Sequence, residues 1–271
     1  MPDPRPVHAL AVDRHAEQRP QGGALLAVGA DGSVRRWTFG GLAEASRRLA
    51  RALREREGVR RGDRVVVLLP QRAEAALLHL ALSRLGAIAV PLSPLFGPEG
   101  LATRMADAAP CLVLTHGLRE GIAREALHLA GLTDQAPLRL VDTPEFERAW
   151  QATPPLPDAE HAPVGAEDPM WLVYTSGTTG RPKGALLPHR VLAGRMPGFR
   201  LAHEPFRPAE QRTLFYSPAD WSWIGGLLDA LFAPWHEGAE VLAHERTGHF
   251  DAAATYRMLA EHQVTNAFLP P

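Results

Sequence analysis

The sequence is almost without lysine. Of its 29 basic side chains only Lys183 is a lysine, and asparagine too occurs once, at Asn266. A guanidinium is a planar fork of donors, whereas an ammonium is a compact charge on a flexible stem. A position that needs the compact charge is where a lysine would survive such a bias. Cysteine is equally scarce: Cys111 stands alone, which excludes an intrachain disulfide. No apolar run approaches the ~18 residues of a membrane span. The opening stretch MPDPRPVHALAVDRHAEQRP carries charges where a secretory leader would be apolar. Nor is there a charge excess: the net charge is −1, which gives no basic footprint for nucleic acid. These absences point to a cytoplasmic protein with no membrane span and no nucleic-acid partner.

What is present is ordinary globular material, 45% hydrophobic and 22% charged over 271 residues, enough to bury one large core or two smaller ones. ALLAV and SVRRW flank Ala30-Asp31-Gly32 as a short hairpin. LAEASRRLARALREREG then places Leu42, Ala45, Leu49 and Leu53 on one helical face and stops at Gly58. GDRVVVLLP, AIAVPL and CLVLT are compact apolar strands separated by helical segments, one from about Pro98 to Ala108 and another near 118–130. Strands apolar on both faces and alternating with helices imply parallel sheets covered on both sides. The expected organisation is a first α/β subdomain over 1–152, a proline-rich connection at 153–169, and a second α/β subdomain over 170–271, truncated at its C-terminus. Arg47, Arg48, Arg51 and Arg54 read as a solvated helix face, and the twelve histidines as surface groups.

One run concentrates chemistry. Residues 174–184, YTSGTTGRPKG, follow the strand MWLVY and combine Gly177, Gly180 and Gly184 with the hydroxyls of Thr175, Ser176, Thr178 and Thr179 and the ammonium of Lys183. Glycines allow successive backbone N–H groups to turn toward one anion. Hydroxyls and an ammonium add charge-assisted bonds worth about 1.5–3 kcal/mol each. The run is not a P-loop: read from Gly177, Pro182 replaces the second glycine and Gly184 the metal-binding hydroxyl. No G-x-G-x-x-G follows any strand, so a dinucleotide fold has no support.

YTSGTTGRPKG does resemble the phosphate-loop signature of adenylate-forming enzymes, the group of acyl- and acetyl-CoA synthetases, luciferases and the adenylation domains of peptide synthetases. GDRVVVLLP with its following helix, and GAIAVPLSPLFGPEGL, are similar to the N-terminal region of acyl-CoA synthetases. The resemblance implies the N-terminal domain fold of that group, with parallel sheets in two subdomains. It also implies ATP, Mg2+ and CoA as cofactors and a carboxylic acid as substrate. Thr175, Ser176, Gly177, Thr178, Thr179, Gly180, Lys183 and Gly184 would then hold the ATP phosphates. The acid would attack the α-phosphate, and the acyl group would pass from the adenylate to CoA.

A second segment, SPADWSWIGGL at 217–227, resembles the acyl-pocket segment of acetyl- and medium-chain acyl-CoA synthetases. That assigns Trp223, Ile224 and Gly225 to the acyl pocket, whereas Phe232 and Trp235 on the following helix read as core. The acetate-specific pattern has a hydroxyl where Gly225 stands and a histidine where Leu227 stands, which hints at a larger acid. His244-Glu245 with His249 lacks the helical spacing of a zinc motif, and no G-x-S-x-G elbow occurs. The resemblance covers the front half of the group only. The adenine and ribose contacts, the hinge and the catalytic lysine of its C-terminal domain would lie in a missing C-terminal half, so no catalytic residue is assigned in this chain. The second class of reading is a non-catalytic nucleotide- or partner-binding module derived from such an enzyme.

Overall fold

A π-helical turn at Ala9–Asp13 runs into helix α1 (Arg14–Gln18) and delivers the chain to a hairpin, β1 (Gly23–Val28) and β2 (Val34–Thr38). The computed structural model describes residues 5–175, 182–204, 206, 208, 211–246 and 250–269. Helix α2 (Phe39–Arg56) starts where the Thr38 hydroxyl accepts the Gly41 amide at 3.0 Å, a side-chain cap worth about 1 kcal/mol. It ends at Gly58, whose φ of 73° suits a residue without a Cβ. There follow β3 (Arg64–Leu68), α3 (Ala73–Leu85), β4 (Ile88–Pro91), α4 (Pro98–Ala108), β5 (Leu112–Thr115), α5 (Glu120–Leu129), β6 (Leu138–Leu140) and α6 (Pro144–Gln151). The second part of the chain contributes β7 (Pro169–Thr175), β8 (Lys183–Pro188), α7 (Val191–Ala202) and β9 (Leu214–Tyr216). A π-helical segment, Gly225–Phe232, continues into α8 (Ala233–Glu237), before β10 (Glu240–His244), α9 (Ala252–Glu261) and β11 (Asn266–Ala267).

Two sheets form among the described residues. One has six strands in the order β6-β5-β3-β4-β7-β8, and the other has five in the order β11-β9-β10-β1-β2. All neighbours are parallel except the two hairpins at the edges, β1–β2 and β7–β8. Both sheets therefore draw strands from before residue 153 and from after residue 169. Each interior β3 and β5 residue from Val65 and Leu112 onward is buried, as expected of strands covered on two faces. Helix α3 is buried at twelve of its positions, which explains its mostly apolar sequence. The 153–169 segment is an ordered loop against α2. Leu156 is buried, its amide donates to the Arg47 carbonyl, and Arg47 and Arg54 pair with Asp158 and Glu160. Phe232 and Trp235 are fully buried core residues.

The expectation of surface histidines is overturned for six of the twelve, whereas His128 is exposed as expected. His8, His15, His79, His116, His189 and His236 are buried, because several find an acceptor role for a neutral ring inside. His189 Nδ1 accepts the Val7 amide at 3.1 Å, His79 Nδ1 accepts the Trp171 indole N–H at 3.2 Å, and His8 Nδ1 pairs with the Ser83 hydroxyl at 2.8 Å. Composition carries no trace of donors that lie 182 and 92 residues away. Burial lowers the His189 ring from 6.5 to about 4 and that of His79 to about 3, and holds His8 well below its ordinary value.

Above pH ~6.5 these rings are neutral in the folded and the unfolded chain alike, so they add no pH dependence there. Between 6.5 and about 4 only the unfolded chain takes up the protons, which lowers stability as pH falls. The expected result is a urea midpoint that is level above pH ~7 and drops steadily toward pH ~4, a loss of a few kcal/mol. A midpoint unchanged between pH ~7 and pH ~5 would contradict neutral buried imidazoles.

Candidate functional site

The signature run sits at the end of a strand that the fold directs outward. β7 enters the six-stranded sheet parallel to β4 and turns back as β8 in an antiparallel register that sets Tyr174 opposite Gly184 and Thr175 opposite Lys183. Two residues eight positions apart in sequence thus stand side by side at the mouth of the turn. Thr175, Lys183 and Gly184 are exposed. Ser176, Gly177, Thr178, Thr179 and Gly180 lie outside the described residues. The geometry that is described delivers one hydroxyl and one ammonium to the same edge, where an anionic ligand could meet both.

The base of this hairpin is braced. The Tyr174 hydroxyl donates to Asp107 Oδ2 on α4 at 2.6 Å, and burial, with that bond to a carboxylate, pushes the phenol pKa up. Gly184 passes over the same ring. A Cβ added there would stand 2.9 Å from Leu172 Cδ1 and 3.4 Å from Tyr174 Cε1, so the close approach of β8 depends on the missing side chain. Neither contact was legible in the sequence: Asp107 is 67 residues upstream.

The aromatic segment is placed at the junction of the two sheets. Trp221 is buried, Trp223 is 52% exposed, and Ile224 and Gly225 are half-buried. The Trp223 ring lies against Gly225, where an added Cβ would fall 2.7 Å from Cζ3. At Gly226, the second residue of the π-helical segment, an added Cβ would run into the Asp220 carbonyl oxygen, so only a glycine fits there. The structure therefore brings Trp223 and Gly225 into one contact. It does not place them beside Thr175 and Lys183 in any contact described.

A cavity of about 450 Å³ opens next to this segment, at the C-terminal ends of the strands, where α/β sheets commonly take ligands. Gln71, Pro94, Leu95, Asp220, Arg246 and Phe250 line it, whereas Trp223, Ile224 and Gly225 are not among its lining residues. Its wall is mostly apolar, with the Arg246 guanidinium 5.7 Å from the centre of the Phe250 ring. His244 also faces it, its ring pKa lowered by burial and by Arg246. Such a wall suits an elongated ligand with an apolar body and an anionic group. Among the described residues no three His, Cys, Asp or Glu side chains converge to hold a metal ion. The described residues therefore assign no ligands to the magnesium that the resemblance implies.

Two mostly parallel sheets flanked by helices, with Thr175 and Lys183 side by side where β7 and β8 bound the glycine- and hydroxyl-rich run, are consistent with the N-terminal domain architecture of adenylate-forming enzymes. The chain belongs to the AMP-binding enzyme family, which matches residues 12–271. It is 31% identical to an acetyl-coenzyme A synthetase of Shewanella sp. (strain ANA-3) over 97% of this chain and 43% of that protein. It is 30% identical to the acetyl-coenzyme A synthetase of Parvibaculum lavamentivorans over 96% of this chain and 42% of that one. The chain thus spans less than half the length of these curated relatives. The crystal structure of Brucella canis acyl-CoA synthetase superposes with a TM-score of 0.82 at 27% identity, over 100% of this chain and 48% of that one. That of VinN gives 0.78 at 26% identity, over 98% and 62%. No helix of the described residues is long and apolar enough to cross a membrane.

Proposed function

We propose that this chain is part of a cytoplasmic acid–thiol ligase that activates a carboxylic acid with ATP and passes the acyl group to CoA. The observation that carries the reading is the β7–β8 register, which sets Thr175 against Lys183 at the root of the signature turn. Acid and nucleotide are both anions, so neutralising charge is the main demand of the first step. Lys183, the hydroxyls of Thr175, Ser176, Thr178 and Thr179, and the amides of Gly177, Gly180 and Gly184 would hold the β- and γ-phosphates. Magnesium, when bound, would share that neutralisation. The carboxylate oxygen then attacks the α-phosphorus and pyrophosphate leaves. In the second step the CoA thiol attacks the acyl carbonyl and AMP leaves. Trp223, Ile224 and Gly225 would bound the acyl group, with the ring of Trp223 over Gly225 setting its depth.

The test is acid-dependent exchange of pyrophosphate into ATP, with straight-chain acids from acetate to octanoate offered in turn to the complete enzyme. Exchange that requires one of these acids supports the reading. Retained nucleotide binding with no exchange for any acid would make the chain a binding module instead. By itself the 271-residue chain is expected to bind ATP weakly and to give no exchange. Robust exchange from it would require catalytic groups among residues to which the fold gives only a packing role.

A further inference from the structure

The segment that carries Trp223 follows β9 of the five-stranded sheet, and Arg246 beyond β10 holds its Pro218 carbonyl, yet several of its hydrogen bonds run to the other sheet. After β9, Ser217 and Ala219 both offer their carbonyls to Gln71 Nε2, at the end of β3. Ser93, in the loop after β4, donates its hydroxyl to Asp220 Oδ2 at 2.8 Å and accepts the Leu95 amide at 3.2 Å. The other carboxylate oxygen of Asp220 accepts the Ser222 amide at 2.9 Å. Its backbone carbonyl accepts the Trp223 amide at 3.1 Å and is the atom against which Gly226 must stay bare. Asp220 therefore ties the turn down as far as Trp223 through three bonds, to Ser93, Ser222 and Trp223, and the first of them crosses to the opposite sheet.

We infer that Asp220 is a positioning residue: latched by Ser93, it holds Trp223 over Gly225 and so sets which acids the pocket accepts. The acid-selecting part of this inference rests on the reading given under Proposed function. The physical argument is one of pre-organisation. Trp223 is half exposed whereas Trp221 is buried, so the position of the Trp223 ring depends on the backbone from which it hangs. A side chain that selects substrate by size must have its own orientation fixed by surrounding hydrogen bonds, or it yields to the larger substrate. Three carboxylate and carbonyl contacts from one residue supply that restraint. They also connect it to Leu95 on the cavity wall, through the chain Leu95 amide, Ser93 hydroxyl, Asp220 carboxylate.

The prediction separates geometry from charge. Asp220→Ala removes both side-chain bonds, and Ser93→Ala removes only the one between sheets. Asp220→Asn can keep both, its oxygen accepting the Ser222 amide and its NH2 donating to the Ser93 hydroxyl. Acrylamide quenching of Trp223, isolated by subtracting the Trp223→Phe spectrum in each background, is measured on the 271-residue chain. Quenching is expected to rise about twofold in Asp220→Ala, by less in Ser93→Ala, and to stay at the wild-type level in Asp220→Asn. In the complete enzyme, the kcat/KM ratio between the best acid and one two methylenes longer is expected to shrink about fivefold in Asp220→Ala, with KM for ATP within about twofold. Unchanged quenching in both alanine variants overturns the inference, as does Asp220→Asn behaving like Asp220→Ala. An equal loss for every acid and for ATP also overturns it, by making Asp220 a residue of general stability. An enzyme that activates no acid at all defeats the proposed activity, and the quenching result then decides the role of Asp220 separately.

Discussion

Replacing Arg84 by alanine is expected to lower the stability of the chain by about 3–5 kcal/mol, the usual cost of removing one partner from a buried ion pair. The guanidinium is wholly buried, and its Nη2 and Nη1 donate to the two oxygens of Asp13 at 2.6 and 2.9 Å. Its Nε donates to Ser46 Oγ at 3.0 Å. Arg84 thereby joins three elements, the N-terminal turn through Asp13, α2 through Ser46, and α3, on which it stands. Its own carbonyl accepts the Ala162 amide of the connecting loop. The truncation leaves the Asp13 carboxylate, itself only 13% exposed, without its counter-charge, and empties the volume of a long side chain. Asp13→Asn is expected to cost a comparable amount, because it leaves the wholly buried guanidinium without a counter-charge and turns an NH2 against one of its N–H groups. Guanidinium chloride melts of the three proteins measure both losses. A loss below about 1 kcal/mol in Arg84→Ala would mean that water enters and solvates Asp13, so that the pair is not buried in solution.

Lys183 is expected to give the largest change in activity. Substitution by alanine removes charge-assisted bonds of about 1.5–3 kcal/mol each, so acid-dependent exchange in the complete enzyme should fall on the order of 10- to 100-fold. Arginine keeps the charge and is expected to lose about tenfold, or about 1.4 kcal/mol of barrier. It is bulkier and cannot turn three donors among phosphate oxygens. Lys183 opens an edge strand and is exposed, so neither change should move the melting temperature by more than a degree or two. Wild-type exchange in the arginine variant would remove Lys183 from the proposed phosphate site. A loss of activity matched by a loss of stability would point to the hairpin rather than to the ammonium.

The two replacements show where information resides in this molecule. Lys183 is conspicuous without any structure, because composition isolates it, hydroxyls and glycines precede it, and Gly184 follows it. Arg84 is one more arginine in an arginine-rich chain, at the end of an apolar helix. Nothing local separates it from Arg51 or Arg124, each of which makes an exposed i,i+4 pair with a glutamate. Its partners come from residues 13 and 46, and only the folded chain brings them there.

Local pattern determined the elements that answer to local forces. The Pro98–Ala108 helix has its proline in the first turn, the β1–β2 hairpin has its Ala-Asp-Gly turn, and β3, β4 and β5 are apolar runs between turn residues. The parallel, covered sheets follow from those runs, since strands apolar on both faces must be buried on both. Family membership is likewise carried by short stretches of sequence that need no coordinates. Tertiary structure alone decided how the strands are shared, with β1 and β2 crossing to the sheet of β9, β10 and β11, and β7 and β8 joining that of β3 to β6. It alone buried six histidines, several as neutral acceptors, set Tyr174 on Asp107, and suspended the Trp223 turn from Gln71 and Ser93. These are hydrogen bonds between groups dozens to hundreds of residues apart. Their strength depends on distance and on exclusion of water, neither of which exists until the chain has folded.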